Sequence, residues 1–88
     1  MNDTTFNIYS ESNTSLTGEF KDGCLHLTSE VWGEYDSEQH ITFSKEETDK
    51  LFSLITLDEF ISLCKSEHLT GLNTFLDDNN IKRNTITI

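Results

Sequence analysis

The sequence predicts a two-layer α+β domain, in which an antiparallel sheet of four or five strands packs on two or three short helices. Three observations carry this prediction: apolar residues alternate with polar ones up to Phe43, recur every three to four residues from Ser44, and alternate again over residues 85–88. Each helix then has one apolar stripe and each strand one apolar face, so two layers bury both. At 88 residues the chain is too short for two cores, and we expect one domain spanning residues 1–88.

The N-terminal meander contains a hairpin at Asp22-Gly23, a pair typical of a two-residue type I′ turn. With Lys21 and Cys24 flanking the turn, the register follows by counting. The expected cross-strand pairs are Phe20 with Leu25, Gly18 with Leu27, Leu16 with Ser29, Glu19 with His26, and Thr17 with Thr28. The apolar pairs fall on one face and the polar pairs on the other, which supports this register because a slip of one residue would mix the faces.

Three further strands are predicted from alternation. Residues 6–9 place Phe6 and Ile8 on one side, and residues 40–43 place Ile41 and Phe43 inward. Residues 85–88 present two isoleucines to one face. The last strand has to return to the sheet, and the pattern leaves open whether it joins at an edge or between earlier strands.

Two helix starts are indicated by capping boxes, Ser44 with Glu47 and Thr56 with Glu59. In such a box the hydroxyl and the carboxylate each accept a hydrogen bond from a free backbone amide. The third helix is predicted from an apolar stripe over residues 69–76, and it ends at residues 77–80, where asparagine can adopt the left-handed conformation.

The charge narrows the range of partners. The chain has 16 acidic against 6 basic residues, a net charge of -10, so direct binding to nucleic acid is not expected.

No apolar run is long enough to span a membrane, and residues 1–5 lack the features of a signal peptide, so we expect a cytoplasmic protein that does not bind membranes. Cys24 and Cys64 are then expected to stay reduced.

No motif of nucleophilic or acid–base catalysis stands out, and we expect neither an enzyme nor a cofactor. Asp36, Glu38 and His40 alternate along a predicted strand and could point oxygen and nitrogen atoms to one side. Calcium loops need more ligands at a fixed spacing, and zinc needs a cysteine or a second histidine nearby. We therefore expect no metal site and interpret these residues as charged surface.

The strongest candidate site is the connection after the hairpin, where the only tryptophan and one of two tyrosines lie among carboxylates. A large amphipathic aromatic side chain beside acids is typical of a protein interface. The predicted partner-binding residues are Glu30, Trp32, Glu34, Tyr35, Asp36 and Glu38. The alternative is that Trp32 covers a sheet edge and that the acids are a solvated rim.

These features predict a small acidic module that docks on a basic surface of a partner protein and inhibits or neutralises it. The overall profile is similar to that of bacterial immunity proteins and phage-encoded inhibitors, although no motif carries the similarity. The expected partner is a basic protein such as a nuclease, a toxin or a nucleic-acid-binding protein, and the chain is expected to be a monomer or a weak homodimer. The alternatives are a structural or regulatory subunit that self-associates through an edge strand, and a small enzyme or metal-binding protein.

Overall fold

A computed structural model describes residues 4–33, 36–65 and 69–88. The elements in chain order are β1 (Thr4–Ser10), β2 (Thr14–Lys21), β3 (Cys24–Val31), β4 (Ser37–Thr42), α1 (Lys45–Leu54), α2 (Leu57–Lys65), α3 (Thr70–Asp78) and β5 (Asn84–Thr87). The strands form one antiparallel sheet in the order β1-β2-β3-β4-β5, so each strand pairs with its neighbour in the chain. The predicted two-layer α+β architecture is confirmed, with five strands and three helices in these described ranges.

The β2–β3 hairpin has the register that the sequence predicts, including Phe20 opposite Leu25 and Glu19 opposite His26. Asp22 and Gly23 have φ angles of 54° and 80°, and a type I′ turn requires such positive values at both central residues. Because the turn has two residues, it fixes the register, and the register sends the apolar side chains to one face.

That apolar face packs on the helices. Its buried members include Leu25, Leu27 and Ile41, each 3% exposed or less. A row of aromatic rings crosses from the sheet to the helices, with centroid distances of 5.5 Å for Phe6–Phe20, 5.4 Å for Phe20–Phe52 and 5.5 Å for Phe52–Phe60. Gly18 leaves room for this row, since a Cβ atom there would overlap the Phe6 ring and displace it. The opposite face of the sheet carries polar side chains, and we call it the open face.

The hydrogen bonds at the starts of α1 and α2 match the predicted capping boxes, with one difference. At α2 the predicted box is complete: Glu59 N–H donates to Thr56 Oγ1 at 3.2 Å, and Thr56 N–H donates to Glu59 Oε1 at 3.0 Å. At α1 the Ser44 hydroxyl accepts from Glu47 N–H at 3.2 Å, but the Glu47 carboxylate accepts from Lys82 N–H at 3.1 Å. The carboxylate half of this box is therefore not formed, because Glu47 instead fixes the segment that leads into β5.

The left-handed residue expected after α3 is Asn80, with a φ angle of 55°. It reverses the chain so that Ile81 becomes buried and the last strand can return to the sheet. That strand, β5, pairs with β4 and lies at the edge, which answers the question that the sequence left open. Its isoleucines share the open face, where Ile86 is 52% and Ile88 74% exposed.

Candidate functional site

The predicted site lies at one corner of the open face, where β3 ends and β4 begins. The β3–β4 register places Glu30 directly opposite Glu38. Ile88 N–H donates to the carbonyl oxygen of Glu38 at 2.8 Å, which brings the end of β5 beside this pair. Three strands therefore contribute to the corner.

A shallow cavity of about 300 Å³ opens at this corner, and we call it the acidic pocket. Its lining residues are Glu30, Val31, Trp32, Asp36, Ser37, Glu38 and Ile88. The structure thus brings together four of the predicted site residues, namely Glu30, Trp32, Asp36 and Glu38. The other two, Glu34 and Tyr35, lie outside the described residues. Ile88 was not predicted to belong to the site, and only the pairing of β5 with β4 reveals it.

Trp32 is held at the rim of this pocket. Its backbone N–H donates to the carbonyl oxygen of Asn13 at 2.8 Å, which fixes the residue against the β1–β2 turn. The next residue, Gly33, donates its N–H to Asp36 Oδ1 at 3.0 Å. With its backbone fixed on both sides, Trp32 remains 44% exposed, a large value for a residue type that is highly buried on average.

The charges in the pocket all have one sign. Glu30 and Glu38 are cross-strand neighbours, and like charges in directly opposite positions destabilise a sheet. Among the described residues, no lysine or arginine lines the pocket. A cation that approached from solution would therefore meet carboxylates beside an exposed indole.

Residues 30–49 also contain three acids that follow Ser44. Glu46, Glu47 and Asp49 belong to α1, in the helical layer, and not to the pocket. Asp49 is paired with Lys45 at 3.5 Å, and Glu47 accepts from the backbone of Lys82. The strongly acidic stretch of the sequence is thus divided between two layers, and only its first part reaches the candidate site.

A chain of hydrogen bonds extends from the pocket across the open face. His40 Nε2–H donates to Glu38 Oε2 at 2.7 Å, and His40 Nδ1 lies 3.0 Å from His26 Nε2. The predicted register places His26 opposite Glu19, and the structure agrees. The His26 ring, however, makes its hydrogen bond to His40 and not to Glu19. Sequence reasoning missed this because the contact depends on the β3–β4 register, which the 32–36 connection does not reveal.

The two cysteines differ in environment. Cys64 is fully buried on α2, and burial raises the pKa of its thiol to about 12, so it is not a thiolate nucleophile near neutral pH. Cys24 is half-buried beside the hairpin turn, and both thiols are free. Within the described ranges, no group of three or more histidine, cysteine, aspartate or glutamate side chains is gathered in a way that could hold a metal ion.

Comparisons of the chain with protein families, with curated proteins and with solved structures find no match. Inferences about function therefore rest on the geometry of the molecule itself. No helix in the described part of the chain is both long and apolar enough to cross a lipid bilayer.

Proposed function

We propose that this chain is a small acidic protein-binding module that docks on a basic surface of a partner protein and so inhibits or neutralises it. The observation that carries the proposal is the half-exposed indole of Trp32 in the same shallow pocket as Glu30, Asp36 and Glu38. Such a pocket combines an aromatic anchor with carboxylates that have no lysine or arginine beside them among the described lining residues. An interface centre of this kind suits lysine or arginine side chains.

The net charge of -10 would steer a basic partner toward the molecule and accelerate association. Desolvation of Trp32 and Ile88 would then slow dissociation. The proposed role is binding and not catalysis, and the proposed partners are nucleases, toxins and nucleic-acid-binding proteins. We place this role in the cytoplasm, where both thiols would stay reduced.

A capture experiment with two charge-matched variants tests the proposal. The pocket variant carries Glu30→Gln, Asp36→Asn and Glu38→Gln. The control carries Glu11→Gln, Asp58→Asn and Asp78→Asn, which removes the same number of carboxylates from exposed positions outside the pocket. Immobilised wild-type protein and both variants are incubated with native lysate at low salt in the presence of a chelator, and bound proteins are identified by mass spectrometry.

We expect the wild type and the control to retain one basic protein that the pocket variant loses. With that protein purified, the pocket variant should reduce the association rate constant several-fold, and Trp32→Ala should mainly raise the dissociation rate constant. Added salt should slow association. The proposal is wrong if both triple variants lose the partner equally, or if neither rate constant responds to the pocket substitutions.

A second candidate function is self-association through β5, and a specific feature of the sheet favours it. The edge strand β5 carries no charged side chain and is exposed along its whole length. The opposite edge strand, β1, has an irregular register between Asn7 and Tyr9, which interrupts pairing there. A structural or regulatory subunit could use the regular β5 edge to extend its sheet into a second copy.

A further inference from the structure

The histidine pair on the open face has no role in the proposed docking. We propose that His26 and His40 form a binding site for a divalent transition-metal ion, which enters between the two imidazole rings in place of the proton that they share. Its two ligands lie outside the residues that line the acidic pocket, although His40 is hydrogen-bonded to Glu38, which lines that pocket.

The spacing of the two nitrogens suits such an ion. His26 Nε2 and His40 Nδ1 are 3.0 Å apart. Two imidazole nitrogens on one ion, each about 2.0–2.1 Å from it, lie about 2.9 Å apart at a right angle and about 3.3 Å apart at a tetrahedral angle. The ring planes are inclined by 50° with centroids 5.2 Å apart, and the two nitrogens point toward each other, so the rings must turn for both lone pairs to point at the ion. Rotation about χ2 of histidine is soft enough to allow this.

The hydrogen bond to Glu38 prepares His40 as a ligand. Its Nε2–H donates to the Glu38 carboxylate at 2.7 Å, so in the neutral ring the Nδ1 lone pair is directed toward His26. Histidines that bind metals in proteins generally donate their second ring N–H to such a carboxylate, which orients the ring and raises its basicity. His26 presents its Nε2 lone pair to the same ion when its own ring proton resides on Nδ1.

The surroundings favour a cation and leave room for water ligands. In the described part of the chain no helix lies over the open face, and a depression of about 150 Å³ lies beside His26. Glu19 is directly opposite His26 and also lines the depression, while Thr17 and Thr28 supply hydroxyls. The other ionisable groups on this face of β2, β3 and β4 are Lys21, Cys24, Glu30 and Glu38. Acids therefore outnumber the single lysine around the site.

The donor atoms select the class of ion. Neutral imidazole suits zinc, copper and nickel, whereas magnesium and calcium prefer oxygen ligands. Two protein ligands with water in the remaining positions make a weaker site than the closed four-ligand sites of structural zinc. We therefore expect one ion of the imidazole-binding class per chain, bound reversibly.

Isothermal titration with zinc chloride tests this site, using metal-free protein with reduced thiols. The wild type should bind one ion, and His26→Gln or His40→Gln should abolish saturable binding. Glu38→Gln keeps both ligands but removes the carboxylate, and it should weaken binding by about tenfold or more. Magnesium chloride should give no saturable binding. Circular dichroism of each variant verifies that the fold is retained.

Two controls keep the result specific. His68→Gln removes the third histidine of the chain, and Cys24→Ser removes the thiol nearest in sequence to His26; both should bind zinc as the wild type does. The proposal is overturned if the wild type binds no zinc, if zinc binding survives in both ligand variants, or if either control loses it. Because partner capture is carried out with a chelator, failure of the metal site leaves the docking result unaffected.

Discussion

Thr48 is a buried polar residue with a structural task, since its hydroxyl accepts a hydrogen bond from Leu25 N–H at 3.0 Å. The carbonyl of the same residue, Leu25, accepts from Phe43 N–H at 2.9 Å. Helix α1 therefore satisfies a strand amide just beyond the end of β4. Capping boxes and apolar stripes could not predict this bond, because a threonine within a helix has no sequence signature for a distant strand partner.

Thr48→Val tests the importance of that bond. Valine has nearly the same shape but leaves Leu25 N–H buried without an acceptor, which should lower the free energy of unfolding by about 1–3 kcal/mol. Urea denaturation followed by circular dichroism measures the loss. Thr74→Val makes the same change at an exposed position of α3 and should have little effect; an equal loss in both variants would show that the hydrogen bond is unimportant.

Cys64 makes stability depend on pH in the alkaline range. Burial raises the pKa of its thiol from 9.0 to about 12 in the folded state. Below pH 9.0 the thiol is protonated in both states and contributes no pH dependence. As the pH rises from 9.0 toward 12, the unfolded state loses the proton first, so this contribution lowers the free energy of unfolding.

We therefore expect Cys64→Ala to flatten the alkaline decline in stability, although the cavity that it creates lowers stability at every pH. Urea denaturation at several pH values between 8 and 11 measures the slope of free energy against pH. Cys24→Ser, which changes the half-buried thiol, should keep the wild-type slope. If Cys64→Ala declines as steeply as the wild type, the thiol does not cause the effect.

The elements differ in how far their sequence determines their pairing. The β2–β3 register could be counted from Asp22-Gly23 because a two-residue turn leaves no freedom. The sequence of the β3–β4 connection has no Asn-Gly or Asp-Gly pair, so it could not predict that Glu30 lies opposite Glu38 or that His40 reaches His26. Helix starts were predictable for a similar local reason, since capping is decided within four residues.

The edge strand β5 was recognisable as a strand, but its neighbour was not. Which strand β5 pairs with depends on the three helices, which return the chain to β4 instead of β1. Arg83, which precedes the strand, donates to Asp77 Oδ1 at 2.8 Å and to Asn73 Oδ1 at 3.1 Å, so its charge is directed toward α3 and not along the edge. The edge is therefore poorly protected against pairing.

If β5 mediates self-association, one backbone amide can be removed selectively. Ile88 N–H points toward β4, so the N–H of Thr87, one residue earlier in the strand, points away from the sheet. Sedimentation analysis should show a concentration-dependent dimer in the wild type and in Thr87→Val, and a monomer in Thr87→Pro, which lacks that N–H. A wild type that is monomeric at all concentrations, or a dimer that persists in Thr87→Pro, excludes pairing through this edge.

For the molecule as a whole, the sequence indicated which residues of the candidate site lie close together, but not which other elements surround them. Glu30, Trp32, Asp36 and Glu38 flank one connection, so neighbours in sequence had to remain neighbours in space. The acids of α1 follow soon afterwards along the chain but do not line the pocket. The structure separates the groups because the chain passes from the sheet to the helical layer at Ser44.

The meander order also determines where other molecules can be attached. β1 and β5 occupy opposite edges, separated by four strand spacings or about 19 Å. A fluorophore or affinity tag fused after Ile88 would sit at the mouth of the acidic pocket and obstruct it. A fusion that precedes β1 leaves both that pocket and the β5 edge accessible, and is the appropriate design for immobilising this protein.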